Sequence, residues 1–250
     1  MKLINKYKSP NFNLRKKNCK IKYIILHYTS IDNVIDALDH LCKEKNKVSC
    51  HYLISQSGKI YHIVNENFRA WHAGISNWNG ETDINSSSIG IELDFSYDGC
   101  NNHFNDKMIK SLIYLLKKLV KKYKIKPFNI LGHSDITPLR KKDPGYKFPW
   151  KKLNMKKLAF IPNQINLNNI YTINKWIKKN KINSRKKAVI ILLNILGYDI
   201  SLVYKNNFFF KKLIINYQSH YLQNNLSGKI DKTTFIYIKN HCANYLLTLS

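Results

Sequence analysis

Two histidines and one aspartate lie in segments that a fold could bring together on a metal ion. His27 closes the apolar segment KYIILHY, His133 follows the shorter segment NILG, and Asp143 precedes Pro144, which holds it extended. Two imidazoles and one carboxylate, with a fourth position open, form the ligand set of catalytic rather than structural zinc. Taken singly, a histidine that closes an apolar strand is more often a hydrogen-bonded core residue. Spacing alone therefore leaves both interpretations open.

Two further residues could act on a substrate at such a metal. Glu92 alternates with the apolar residues of SIGIELD, and burial in a cleft would raise its pKa, which suits a general base. Lys141, two residues before Asp143, could stabilise an oxyanion at an attacked carbonyl. The alternatives are a solvated residue of an edge strand for Glu92 and a surface charge for Lys141.

Histidine and tryptophan side chains could form the rim of a binding cleft. Trp71 and His72 in the sequence WHAG, with Trp78 soon after, are typical of a rim that contacts sugar or peptide, although they could equally seal the core. His51 is a further candidate substrate contact. A Cys–His nucleophile made of Cys50 and His51 is disfavoured, because neighbours on a strand point to opposite faces.

The elements that must position these residues alternate between strands and helices up to about residue 150. Periodicity predicts strands at 22–28, 49–55, 59–64, 88–94 and 129–131, and helices at 32–42 and 106–123. Asp32 is the expected N-cap of the first helix, the second and third strands form a hairpin, and a Pro-rich loop runs to Trp150. This pattern predicts an α/β fold, a mixed β-sheet flanked by helices.

Only helices are predicted in the tail, at 171–179, 184–196, 207–222 and 231–247, with Ser184 and Asp231 as N-caps. We expect a small C-terminal helical bundle of about three helices after an Asn-rich linker. The predicted domains are 1–165 and 170–250.

Composition limits the class of protein. The chain has 250 residues, 44% of them hydrophobic, and no apolar stretch long enough to span a membrane. Five cysteines without a CxxC pair exclude a disulfide scaffold. The net charge of +27 would attract polyanions, but 38 of the 42 basic residues are lysines, whose number a biased genome can raise, and the arginines that read nucleic acid are few. We therefore expect no specific nucleic-acid partner.

Five motifs occur in the order found in one enzyme family: LHYTS, SCHYLIS with KIYHIVNE, RAWHAGISNWNG, INSSSIGIELD and LGHSDITPLRKKDPGYKFPW. Over residues 20–150 the chain resembles the zinc-dependent N-acetylmuramoyl-L-alanine amidases of the second amidase family, which is related to the peptidoglycan recognition proteins, and most of all the AmiD type. The tail segment INYQSHYLQNNLSGKIDKTTFIYI resembles a helical peptidoglycan-binding module.

The resemblance implies a role for each candidate. One Zn²⁺ per chain would be bound by His27, His133 and Asp143, with Glu92 as the general base and Lys141 aiding the oxyanion. The implied reaction cleaves the amide between the lactyl group of N-acetylmuramic acid and L-alanine in peptidoglycan and muropeptides, for cell-wall turnover and recycling. The implied protein is a monomer in the periplasm or at the outer-membrane face; since no signal peptide or lipid-attachment motif is readable, a cytoplasmic location stays open. A non-catalytic peptidoglycan-binding protein and a polyanion-binding protein are the alternatives.

Overall fold

A computed structural model describes residues 3–100, 102–162, 164–204 and 206–249. The chain divides into two compact units. The first comprises residues 1–76, 82–133 and 147–160, and the second comprises 77–81, 134–146 and 161–250. The predicted limits of two functional domains, 1–165 and 170–250, stay a prediction.

The strands belong to the first unit. In chain order they are β1 (Leu3–Ile4), β2 (Phe12–Leu14), β3 (Tyr23–Tyr28), β4 (Tyr52–Ile54), β5 (Ile60–His62), β6 (Phe68–Ala70), β7 (Ser88–Leu93) and β8 (Ile130–Gly132). Within the described residues, six of them form one sheet in the order β1-β5-β4-β7-β3-β8, while β2 and β6 form a separate antiparallel pair. β4 and β5 pair antiparallel as the predicted hairpin, and the other neighbours in the sheet pair parallel. The predicted mixed sheet is confirmed.

The helices flank this sheet and fill the tail. They are α1 (Val34–Cys42), α2 (Ile84–Ser87), α3 (Asp106–Tyr123), α4 (His133–Ile136), α5 (Trp150–Met155), α6 (Leu167–Lys179), α7 (Arg185–Ile195), α8 (Asn207–Tyr221) and α9 (Lys232–Leu246). In the part of the chain that the structure describes, no helix combines the length and the apolar character needed to cross a membrane.

Helix α3 has the predicted bounds, because its apolar residues recur at helical spacing and Asn105 caps it by accepting from the Met108 N–H. The predicted N-cap of α1 is wrong by one residue. Asn33, not Asp32, has the extended backbone of a cap, and its side chain accepts from the Ile35 N–H at 2.8 Å.

The tail needs two corrections. Its described residues contain helices α6 to α9, which confirms the four predicted helical segments but gives one helix more than the expected bundle of about three, and α6 begins four residues before the predicted position. Asn166 caps α6 by accepting from two backbone N–H groups, so an asparagine that resembled linker sequence starts a helix. Ser184 and Asp231 cap α7 and α9 as predicted.

A buried carboxylate joins the sheet to α3. Glu66 is 8% exposed and accepts from the Tyr52 hydroxyl, from Lys122 Nζ at 2.5 Å and from the Tyr123 hydroxyl at 2.5 Å. Burial alone would raise the pKa of Glu66, but the hydrogen bonds from Lys122, Tyr123 and Tyr52 outweigh it and hold this pKa below its ordinary value. The ionised form of Glu66 therefore stabilises the fold.

Replacing Glu66 with glutamine should remove part of the acid sensitivity of the fold. A carboxyl group whose folded-state pKa is lowered stabilises the protein above its ordinary pKa of 4.5, and this stabilisation is lost as the pH falls through the lowered value. Urea unfolding should show Glu66→Gln less stable than wild type at about pH 7, with a smaller loss of stability toward about pH 3. The exposed Glu44→Gln is the matched control. Equal pH dependence in Glu66→Gln and wild type would contradict this prediction.

Candidate metal centre

The carboxyl ends of three neighbouring parallel strands bring the candidate residues to one edge of the sheet. β3 lies between β7 and β8. His27 on β3 is the register partner of Glu92 on β7, so the two side chains lie side by side on one face of the sheet. His133 directly follows β8. Parallel strands end at the same edge, which is where α/β proteins place their sites.

The structure brings the three predicted metal ligands together. His27, His133 and Asp143 are buried, and each offers a ligand atom within 4.8 Å of the others. The Nδ1 atoms of His27 and His133 are 3.0 Å apart. Tetrahedral zinc with nitrogen ligands at about 2.0–2.1 Å requires a separation of about 3.3 Å between them. The two imidazoles therefore lie close to the spacing of a zinc site.

A chain of hydrogen bonds fixes which nitrogen of His27 carries the proton. The Ile84 carbonyl can only accept, so the Ser88 hydroxyl donates to it, at 2.6 Å, and must itself accept from His72 Nε2–H, at 3.2 Å. Burial, followed by the charge of His27, lowers the pKa of His72 far below its ordinary value, so this ring is neutral. Its Nδ1 then accepts from His27 Nε2–H, at 3.0 Å.

A hydrogen bond fixes the position of the proton on His133 in the same way. Its Nε2 lies 3.1 Å from the Ala73 carbonyl, which can only accept, so His133 carries its proton on Nε2. With their Nε2 atoms bonded in this way, both rings turn Nδ1 toward the same point, where the two atoms lie 3.0 Å apart. The residues present therefore fit a zinc ion, and the opposite nitrogens have the hydrogen-bonded partners typical of metal-binding histidines.

His72 reaches this position because Gly90 leaves room for it. A Cβ atom at Gly90 would lie 2.4 Å from His72 Cγ, so any other residue there would displace the ring. His72 is 6% exposed. Its predicted contact with substrate stays a prediction, and the hydrogen bonds give it a second role, that of orienting His27.

Replacing His72 with alanine should weaken zinc binding by about 10–100-fold, because His27 loses the acceptor that fixes its tautomer and ring orientation. Competition with a fluorescent chelator measures the affinity directly. His72→Asn is the conservative control, since its amide oxygen can accept near the position of Nδ1, and it should recover most of the affinity. Zinc binding of wild-type strength in His72→Ala would refute the orienting role.

The other predicted substrate contacts lie in different surroundings. Trp71 is half-buried and its Nε1–H donates to Asn13 Oδ1 at 3.1 Å. Trp78, in the second unit, is 3% exposed and packs edge-to-face on Tyr198 at 4.9 Å between ring centroids. The contacts of both tryptophans with substrate stay predictions.

His51 is fully buried beside Gly90. Its Nδ1 accepts from the Gly90 N–H at 3.0 Å, and its Nε2 donates to the Phe68 carbonyl at 3.1 Å. Burial and the charge of Arg15 lower the pKa of His51 to about 3, so the ring is neutral. Its role as a substrate contact likewise stays a prediction. Burial and the charge of Glu92 raise the pKa of Cys50 well above its ordinary value, which agrees with the inference that Cys50 is not a nucleophile.

Arg15 is a residue that sequence reasoning missed. Its guanidinium donates to the carbonyls of Glu66, Asn85, Ser86 and Ser88 at 2.5–3.1 Å, and so ties the segment before β3 to β7. The sequence signal that could have identified Arg15 was the rarity of arginine in this chain. The chain has only four arginines, and a guanidinium presents a rigid planar fork of N–H donors, a geometry that lysine lacks.

Lys141 and Asp143 lie on the segment 134–146, which belongs to the second unit and is hereafter the loop 134–146. The Ser134 N–H donates to the Asp143 carbonyl at 2.9 Å, which ties the end of this loop to the residue after His133. The N–H of half-buried Lys141 donates to the Thr137 carbonyl at 3.0 Å. Glu92 is also half-buried. The roles of Lys141 and Glu92 stay predictions.

A mixed sheet with a mononuclear donor set and a neighbouring carboxylate at its carboxyl edge defines a candidate single-metal hydrolase. The sequence profile of the N-acetylmuramoyl-L-alanine amidases matches residues 17–146, which is more than half of the chain. The chain belongs to this family. The resemblance stated from the motifs is thereby confirmed.

Two curated relatives illustrate the similarity. The amidase AmiD of Escherichia coli (strain K12) is 38% identical over 162 residues, which cover 60% of this chain and 58% of AmiD. The 1,6-anhydro-N-acetylmuramyl-L-alanine amidase AmpD of Haemophilus influenzae is 37% identical over 163 residues, which cover 58% of this chain and 86% of AmpD. The matched chain thus spans little more than half the length of AmiD.

Solved structures extend the likeness to the tail. The complex of E. coli AmiD with anhydro-N-acetylmuramic acid-L-Ala-D-gamma-Glu-L-Lys superposes with a TM-score of 0.75 at 27% identity, covering 92% of this chain and 93% of AmiD. AmpDH3 of Pseudomonas aeruginosa has the same TM-score at 24% identity and covers 99% of this chain. The second likeness shows the fold alone. Together they confirm the predicted α/β fold with helices following it.

Proposed function

We propose that this chain is a zinc-dependent N-acetylmuramoyl-L-alanine amidase, which hydrolyses the amide between the lactyl group of N-acetylmuramic acid and L-alanine in peptidoglycan and muropeptides. One observation carries the proposal: His27, His133 and Asp143 offer donor atoms within 4.8 Å of one another, and His27 is the register partner of Glu92. The family supports the reaction, and the ligand of the AmiD complex supports a muropeptide substrate. We further propose the periplasm or the outer-membrane face as its location, because intact peptidoglycan lies there.

The residues divide the chemistry between them. His27, His133 and Asp143 would hold the ion, which when bound supplies Lewis acidity toward water and toward the amide carbonyl. Glu92 takes a proton from the attacking water and returns it to the leaving amino group of L-alanine. Lys141 carries a positive charge to the carbonyl oxygen, where negative charge develops. The carbonyl carbon gains a water oxygen as its bond to nitrogen breaks, so a lactyl carboxylate and a free peptide result.

Mass spectrometry of an anhydro-muropeptide incubated with zinc-loaded protein tests this function. We expect separate anhydro-sugar and peptide products, the peptide beginning with an unblocked L-alanine. Cleavage at another bond, or no cleavage with zinc bound, would refute the proposal. The second result would instead favour a non-catalytic peptidoglycan-binding protein, which the presence of all three donors argues against. DNA filter binding with a steep salt dependence would support the polyanion alternative.

A further inference from the structure

The loop 134–146 carries two of the residues on which the proposed reaction depends, and its own secondary structure is slight. It contains most of the four-residue helix α4 and then a turn in which the N–H groups of Arg140 and Lys141 share the Thr137 carbonyl, each at 3.0 Å. Such a segment needs outside contacts to hold Lys141 and Asp143 in place. The second unit supplies them.

Side chains on one face of α8 bond to the first half of the loop. Lys212, Asn216 and His220 recur every four residues and so share a face of this helix, hereafter the clamp face. Lys212 Nζ donates to the Leu139 carbonyl at 3.2 Å, Asn216 Nδ2 donates to the Pro138 carbonyl, and His220 Nδ1 lies 2.8 Å from Asp135 Oδ2. The higher the number of the helix residue, the lower the number of the loop residue that it contacts. The helix and this part of the loop therefore run antiparallel.

Two contacts outside the clamp face complete the anchoring. The hydroxyl of Tyr198, which follows α7, donates to Asp135 Oδ1 at 2.7 Å, so that buried carboxylate is held at both oxygens. Beyond the end of α8, Gln223 Nε2 donates to the Tyr146 carbonyl at 2.5 Å. The anchored positions 139 and 146 therefore bracket Lys141 and Asp143.

We infer that the clamp face, with Tyr198 and Gln223, positions the loop 134–146 and with it Lys141 and Asp143. The inference rests on the proposed function. These residues lie outside the group of three donors, and they act by holding the backbone that presents Lys141 and Asp143. The predicted binding of peptidoglycan by the tail is a separate matter and stays a prediction.

Asn216→Ala in the full chain tests the inference, with Gln218→Ala as the matched control. Both side chains are buried polar residues of α8, but Gln218 lies on the opposite side of the helix and bonds Ser227, Gly228, Lys229 and Thr234 instead of the loop. For Asn216→Ala we expect kcat on a muropeptide to fall about tenfold or more with little change in KM, because a misplaced catalytic group costs rate. Zinc affinity should fall about tenfold. Gln218→Ala should keep the wild-type kcat and zinc affinity, although its Tm should fall by about as much as that of Asn216→Ala.

Limited trypsin digestion of the metal-free proteins gives a readout that does not depend on activity. Arg140 and Lys142 are exposed, and cleavage at a held loop is slow because it requires local opening. Mass spectrometry should show faster cleavage at 140–142 in Asn216→Ala than in Gln218→Ala. If Asn216→Ala does not fold, the surface variant Lys212→Met/Gln223→Ala replaces it with the same expectations.

Unchanged kcat, zinc affinity and loop cleavage in the clamp variants would overturn the inference, and so would equal losses in Gln218→Ala. Failure of the proposed function has a different signature. Wild-type protein would then leave muropeptides uncut, while the difference in trypsin cleavage between Asn216→Ala and Gln218→Ala would persist.

Discussion

Replacing Glu92 with glutamine should lower kcat by about 10²–10⁴-fold and leave zinc binding intact. Glutamine keeps the shape of the side chain but cannot take a proton from water. Glu92 lies outside the group of three donor residues, so its loss removes no ligand from the ion. Steady-state kinetics on a muropeptide measures the rate, and metal analysis of the same samples measures the zinc content.

The matched control for this variant is Glu66→Gln, which changes the same chemical group at a carboxylate held between the sheet and α3. It should keep wild-type kcat at neutral pH. The acidic limb of the pH–rate profile should be present in Glu66→Gln and absent from the residual activity of Glu92→Gln, because that limb reports protonation of the base. A decrease of less than tenfold in Glu92→Gln would show that another group accepts the proton.

Stripping the metal should abolish hydrolysis, and zinc should restore it at one ion per chain. The ion that His27, His133 and Asp143 would hold supplies Lewis acidity that protein side chains cannot replace. Asp143→Ala should not recover on addition of zinc, since one of three donors is gone. The treatment is dialysis against a chelator followed by zinc titration, with activity and metal content followed together.

Asp106→Ala controls for the loss of a carboxylate that binds no metal, because Asp106 is exposed at the start of α3 and pairs with Lys152. It should reload with zinc and regain full rate. Undiminished hydrolysis by demonstrably metal-free protein would sink the proposed mechanism.

The strand-borne part of the site was predictable from sequence because it depends on alternation. His27, Glu92 and His133 each stand at or just past the end of an apolar segment, and parallel pairing then gathers strand ends at one edge. The pairing of His27 with Glu92 could not be predicted from the sequence, because strand order and register are set by contacts between distant segments.

Other features leave almost no local signal. β1, β2 and β6 have two or three residues each, which is too short to show a period. The partners of Arg15 are backbone carbonyls, which every sequence has, so no residue pattern marks them. The orientation of His72 depends on the missing side chain of Gly90, eighteen positions away. The clamp face was hidden because Lys212, Asn216 and His220 resemble an ordinary solvated stripe until the loop is seen against them.

Two of the three donors, His27 and His133, lie far apart along the chain of the first unit, and Asp143 belongs to the second unit. His27 and His133 are 106 residues apart in sequence. No short fragment can gather them, so an incomplete chain, still on the ribosome or truncated before β8, has no place for the ion. A zinc ion that binds the folded chain alone would stabilise it, and at 100 times its Kd it would add about 2.7 kcal/mol to the free energy of unfolding. We therefore expect the zinc-loaded protein to resist proteolysis longer than the metal-free protein.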